Sequence, residues 1–258
     1  MRKYSEVTKE GRLTVITINR PEVMNALHPP ANVELSEAFD NFVSDPDQWV
    51  AIITGAGDKA FCAGNDLKYQ ASGGDMKGQP SSGFGGITSR FDNTKPIIAA
   101  VNGVAMGGGF EIALACDLIV AAENAVFSLP EPRVGLAALG GGIHRLPREI
   151  GIKKAMGMLL TGRRVSAQEG KDLGFVNEVA RKNSVLDTAK DWASLILECA
   201  PLSVRASKEA AMLGMNASGI EDAIKSRYKQ VQLMQKSSDF VEGPRAFSEK
   251  RPPNWKGL

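Results

Sequence analysis

The stretch Val101-Asn-Gly-Val-Ala-Met-Gly-Gly-Gly-Phe-Glu-Ile-Ala-Leu-Ala-Cys-Asp117, with a short apolar run on either side (residues 97–101 and 118–121), decides the fold. Each run has the length and composition of a buried strand, and the glycine-started segment between them reads as a helix. Three consecutive glycines cannot favour that helix, since each costs roughly 1 kcal/mol relative to alanine in a helix interior. Their use is close approach of the backbone to something just before the helix begins, where first-turn amides are free to bind an oxygen. Glu111 lies inside this apolar segment, and burying a carboxylate there is costly unless it is put to use. Asn102, Glu111 and Asp117 also interrupt residues 97–122, so the chain's most apolar region reads as protein core and not as a membrane span.

Working outward, residues 13–18 and 50–54 predict strands. Between them, residues 31–43 predict an amphipathic helix with Val33, Leu35, Phe39, Phe42 and Val43 as its apolar positions. Strand, helix, strand gives an α/β fold. Residues 73–86, rich in glycine and serine, predict a mobile loop of the kind that borders a ligand site. Beyond Arg145 the texture turns helical, with capping boxes at Ser166-x-x-Glu169 and Ser218-x-x-Glu221 and a stop at Gly174. Residues 220–236 carry Ile224, Tyr228, Val231 and Met234 at helical spacing, which predicts a packing face between helices or subunits.

Composition narrows the function. The 258 residues are 43% hydrophobic and 23% charged with a net charge of +2, ordinary for a globular enzyme and without the basic runs of a nucleic-acid or membrane-surface binder. Cys62, Cys116 and Cys199 form no CxxC pair, as expected of reduced thiols in a cytoplasmic protein, and no metal site is expected. The opening residues hold no apolar core of a signal peptide. No GxxxxGK[ST], GxGxxG or GxSxG motif is present. His28 and His144 have no nucleophile or metal partner at a telling spacing and read as packing or surface residues.

Two further segments share the logic of the glycine run. Ala60-Phe-Cys-Ala-Gly-Asn-Asp-Leu67 follows a predicted strand, so its turn could aim a backbone N–H into the same space as the amides before Glu111. Two amides converging on one oxygen make an oxyanion hole. Phe127-Ser-Leu-Pro-Glu131 sets a second carboxylate between Pro130 and Pro132, ahead of another glycine run.

These strings, together with residues 95–111 and Thr161-Gly-Arg-Arg-Val-Ser-Ala-Gln-Glu-Gly-Lys-Asp-Leu-Gly174, resemble the enoyl-CoA hydratase/isomerase (crotonase) superfamily over essentially the whole chain. The closing Glu242-Gly-Pro-Arg-Ala-Phe-Ser-Glu-Lys-Arg251 and Asn254-Trp-Lys-Gly257 are similar to the branch that interconverts carnitinyl-CoA and crotonobetainyl-CoA. The resemblance implies a crotonase-like spiral of ββα units over residues 1–199. It also implies an α-helical region over residues 200–258 that serves trimerisation and part of the CoA site. The expected assembly is a homotrimer or a hexamer made of two trimers. The oxyanion hole would be the amides of Asn65 and Gly108, and the catalytic pair Glu111 and Glu131, acting as acid and base on one water. CoA contacts would come from Ala26, Leu27, Ala63, Leu67, Phe247 and Lys250, and the acyl pocket from Pro132, Leu136 and Leu139, with Arg133 and the 73–86 loop nearby. No cofactor is bound permanently; coenzyme A is part of the substrate. The alternatives are a double-bond isomerase using Glu131 alone, and a noncatalytic member that binds acyl-CoA or RNA.

Overall fold

The computed structural model describes residues 2–258. β1 (Ser5–Glu10) and β2 (Leu13–Ile18) form an antiparallel hairpin that leads, through a 3-10 turn at Pro21–Val23, into α1 (Pro29–Ser44). Three turns of a spiral follow, each giving one strand to a large sheet and the next to a small one. The first is β3 (Val50–Gly55), β4 (Ala60–Cys62) and α2 (Leu67–Ala71). The second is β5 (Ile97–Val101), β6 (Val104–Met106) and α3 (Gly108–Leu114). The third is β7 (Leu118–Ala122) and β8 (Val126–Ser128), followed by α4 (Gly142–Ile150) and α5 (Ile152–Leu159). After β9 (Val165–Ser166), α6 (Ala167–Leu173) and β10 (Glu178–Ala180), the chain continues as α7 (Val185–Leu197), α8 (Pro201–Gly214), α9 (Ile220–Lys225), α10 (Lys229–Gln235) and α11 (Ser238–Ser248). The large sheet runs β1-β2-β3-β5-β7-β10 and the small one β4-β6-β8-β9. This is the predicted α/β spiral.

The apolar runs are continuous because the large sheet is covered on both faces. Alternate residues part to opposite sides: Ile16, Ile53, Ala99 and Ala121 join Leu35, Phe39 and Phe42 of α1 in one core, whereas Val15, Ile52, Ile98 and Val120 meet Ala189 and Ala193 of α7 in another. The rings of Phe110, Phe127 and Phe175 meet pairwise at 5.1–5.2 Å, which fixes α3 against the small sheet. His28 is a packing residue: it caps α1, its Nδ1 accepting the Ala31 amide at 3.1 Å, with its ring edge-on to Tyr4 and Tyr69. Burial lowers its pKa, as an accepting Nδ1 requires.

Ser166 caps α6 and Gly174 ends it, as predicted. Three local readings change. Ser218 caps nothing, because α9 starts after an extended Gly219. Residues 220–236 are two helices and not one. Ser226 turns extended, and the Tyr228 hydroxyl reaches back to the Ala223 carbonyl at 2.7 Å, so that α10 packs on α8 while Ile220 and Ile224 stay exposed. The last residues of the predicted loop form a buried plug: Phe84–Gly86 is a 3-10 turn whose Gly85 amide donates to Asn32 Oδ1 at 2.7 Å. No helix among the described residues is long and apolar enough to cross a membrane.

Candidate active site

Strands β4, β6 and β8 run parallel, so the turns that leave them lie together at the carboxyl end of the small sheet. Those turns carry Asn65, Gly108 and Glu131. Gly64 has φ +91°, and a Cβ on it would stand 3.2 Å from the Gly108 nitrogen, which puts the first two turns in contact. The amides of Asn65 and Gly108 donate to no group among the described residues. The Phe84 ring covers Gly108 so closely that a Cβ there would lie 2.5 Å from it.

Glu111 sits in the first turn of α3 and is 4% exposed. Its Oε1 accepts the Gly142 amide at 2.9 Å, and Cβ atoms on Gly140 and Gly142 would lie 2.5 and 3.1 Å from its carboxylate oxygens. The second glycine run is therefore what lets backbone reach this carboxylate. Burial, and after it the charge of Glu131, push the Glu111 pKa up to about 7, against the lowering effect of the Gly142 amide and Arg145.

Glu131 opens a 3-10 turn, Glu131–Val134, with Pro130 as its N-cap residue. Its Oε1 lies 2.9 Å from where a Cβ on Gly107 would stand, and Gly107 has φ +52°. Its Oε2 is buried without a hydrogen-bond partner among the described residues, and burial raises its pKa. Two carboxyl groups thus flank the Gly107-Gly108 turn, one gripped by an amide and one with an unsatisfied oxygen.

The Asn65 turn is braced by the segment predicted to meet CoA. Leu27 N–H donates to the Gly64 carbonyl at 2.8 Å, the Leu27 carbonyl accepts from Asp66 N–H at 2.9 Å, and Ala63 N–H donates to Met24 at 3.0 Å. Asp66 pairs with Arg20 at 3.0 Å and caps α2 through the Tyr69 amide; Arg20 also bonds the Ala26 carbonyl. Leu27 is wholly buried, with both backbone groups used on this turn. Ala26 is buried too, whereas Ala63 is half-buried and Leu67 exposed. Pro132, Leu136 and Leu139 are exposed on the connection between Glu131 and Gly140. Phe247 and Lys250 lie at the end of α11, which packs on α10, and Phe247 is 87% exposed.

A cavity of about 760 Å³ opens on the outer face of the small sheet between Met24, Val104, Met106 and Arg133, and neither glutamate lines it. Tryptophan and tyrosine are used elsewhere. Trp49 stacks under Arg12, Trp192 donates to Glu178 and Trp255 to the Glu198 carbonyl, and Tyr4 and Tyr69 flank His28. Sequence reasoning missed Phe84, Arg145 and the Gly142 amide; the signal available for the last was a second triple glycine run directly before a helix.

The fold defines the class as a crotonase-type spiral. Residues 8–258 match the family described as enoyl-CoA hydratase/isomerase. Carnitinyl-CoA dehydratase of Citrobacter koseri is 43% identical over 256 residues, covering 97% of each chain, and that of Salmonella enteritidis PT4 is 41% identical over the full length of both. Among solved structures, an enoyl-CoA hydratase from Mycobacterium tuberculosis H37Rv superposes with a TM-score of 0.91 at 38% identity, covering 99% of each chain. A carnitinyl-CoA hydratase from Mycobacterium avium does so at 0.79 with 39% identity over all of both chains. The chain belongs to the enoyl-CoA hydratase/isomerase family.

Proposed function

We propose that this protein adds water reversibly across the double bond of a 2-enoyl-CoA thioester, giving a 3-hydroxyacyl-CoA. The observation that carries this reading is the pair of burial-shifted glutamates beside two amides that donate to no group among the described residues. The thioester oxygen accepts from Asn65 and Gly108, whose fixed donors stabilise an enolate. Ionised Glu111 takes a proton from water as its oxygen bonds the β-carbon. The alkene electron pair moves toward the carbonyl, and protonated Glu131 delivers a proton to the α-carbon. The glutamates then exchange one proton to reset, and the reverse sequence dehydrates. A pair of carboxyls favours hydration over isomerisation, for which one proton shuttle suffices.

In the same reading, CoA enters as part of the substrate along Ala26, Ala63 and Leu67, with Leu27 bracing the wall. Phe247 and Lys250 reach it from a neighbouring copy in a trimer or hexamer, and residues 200–258 serve that assembly. Pro132, Leu136 and Leu139 bound the acyl group. No permanently bound cofactor is needed, and the site of action is the cytoplasm. The names of the relatives make crotonobetainyl-CoA the substrate to set beside crotonyl-CoA. The test follows the loss of enoyl-thioester absorbance with each thioester. Wild type is expected to hydrate at least one of them, and Glu111→Gln and Glu131→Gln to lose about 10²-fold or more. Hydration of neither thioester, or a Glu111→Gln variant that still migrates a 3-enoyl double bond at full rate, would overturn the reading in favour of isomerisation or of binding alone.

A further inference from the structure

Arg145 lies in the first turn of α4, and its guanidinium folds back over the start of its own helix. Nη1 donates to the Gly140 carbonyl at 3.3 Å and Nη2 to the Thr88 carbonyl at 2.8 Å. Gly141, with φ +109°, leaves the space for this: a Cβ there would fall on Nη1. The two carbonyls belong to different parts of the site. Gly140 opens the turn whose Gly142 amide grips Glu111. Thr88 follows the buried plug whose Phe84 ring covers Gly108.

We propose that Arg145 is a positioning residue for the reaction proposed above: by bonding both carbonyls it locks the turn that holds Glu111 to the segment that lies over the Gly108 amide. The planar guanidinium suits this role because its donors are set in a fixed fork, whereas a lysine offers one point charge. The charge itself has a second effect. The charged groups acting on Glu111 are Glu131 and Arg145, and those acting on Arg145 are Glu149 and Glu111; the Cys116 thiol near it is kept neutral by burial, which raises its pKa. Arg145 is therefore the cation that acts with the Gly142 amide to hold the Glu111 pKa down against burial.

The test compares Arg145→Lys and Arg145→Gln. The lysine variant keeps the charge and loses the fork: its kcat falls roughly 10- to 100-fold, with the acidic limb of the kcat/KM profile where it was. The glutamine variant loses both, and that limb moves to higher pH by roughly half a unit or more. A substrate-independent readout separates this proposal from the hydratase reading: the Glu111 carboxyl is titrated directly, by infrared difference against Glu111→Gln, in each background. An upward shift in Arg145→Gln supports the charge effect even if no thioester is hydrated. Unchanged titration and unchanged kcat in a folded Arg145→Gln protein overturn the proposal. Should that variant not fold, a lysine variant with wild-type kcat does the same.

Discussion

Gly109→Ala is the sharpest probe of how α3 is seated. A Cβ at Gly109 would stand 2.7 Å from the Cys62 carbonyl carbon, 2.9 Å from the Cys62 Cβ, and nearer still to the carbonyl oxygen, where ordinary contact begins near 3.4 Å. The helix cannot slide sideways to relieve this, because Phe110 is held at 5.1 Å from both Phe127 and Phe175. The start of α3 must therefore lift away from β4, by roughly 1 Å or more. Overpacking of this kind costs about 1–3 kcal/mol, which for a chain of this size lowers Tm by about 2–4 °C per kcal/mol. The lift also moves the Gly108 amide relative to Asn65, and a misplacement of about 1 Å costs roughly 10²-fold in rate. The control is Gly157→Ala in α5, where an added Cβ meets nothing within 4 Å; it should stabilise by about 0.5–1 kcal/mol. Thermal unfolding and thioester hydration are measured on both. A Gly109→Ala protein that melts with wild type and turns over at the wild-type rate would refute the seating of α3 on the Cys62 carbonyl.

The remaining predictions concern buried charge. Glu111 has a folded-state pKa raised from 4.5 to about 7, so the folded state binds its proton more tightly than the unfolded chain. Its contribution to stability is full below about pH 4.5 and is lost as pH rises through 7. Glu111→Gln should therefore match wild type near pH 4.5 and exceed it by up to about 3 kcal/mol above pH 8. Chemical denaturation across pH measures this, and a gap that fails to widen with pH would contradict it. Asp66→Asn, which keeps the cap on α2 but strands the buried Arg20 charge, should cost about 3 kcal/mol in the same assay. Adding Arg20→Gln should cost less than the sum of the single changes, and strict additivity would count against a coupled pair.

The large-sheet strands were readable because their apolar runs are short, β-branched and bounded; residues 97–101, 50–54 and 118–121 fall inside β5, β3 and β7. The helix after the glycine run was readable for the opposite reason, since glycine there had no propensity argument behind it. What escaped was decided by partners distant in sequence. The break at Ser226 depends on Tyr228 finding the Ala223 carbonyl and on α10 finding α8. The plug at residues 84–86 looks like a flexible glycine loop until Asn32 of α1 accepts the Gly85 amide. Val33 reads as part of the apolar face of α1 yet is exposed, while Leu35, Phe39 and Phe42 carry the core contact.

Glu111 and Glu131 were conspicuous as residues, but their difference in character comes from the backbone and could not be read from them. One carboxylate has an oxygen held by the Gly142 amide, with glycines at 140 and 142 admitting the main chain. The other has a buried oxygen with no partner. An accepted hydrogen bond favours the ionised form and an unpaired buried oxygen disfavours it. The Gly142 bond therefore opposes, without cancelling, the burial that pushes the Glu111 carboxyl up to about 7, whereas Oε2 of Glu131 has no such donor among the described residues. Burial raises both pKa values, and the charge of Glu131 adds to the rise at Glu111, so the titration of the two belongs to the pair. In the reaction proposed above Glu111 serves the water and Glu131 the α-carbon, and the surroundings of both rest on glycines whose only contribution is the absence of a side chain.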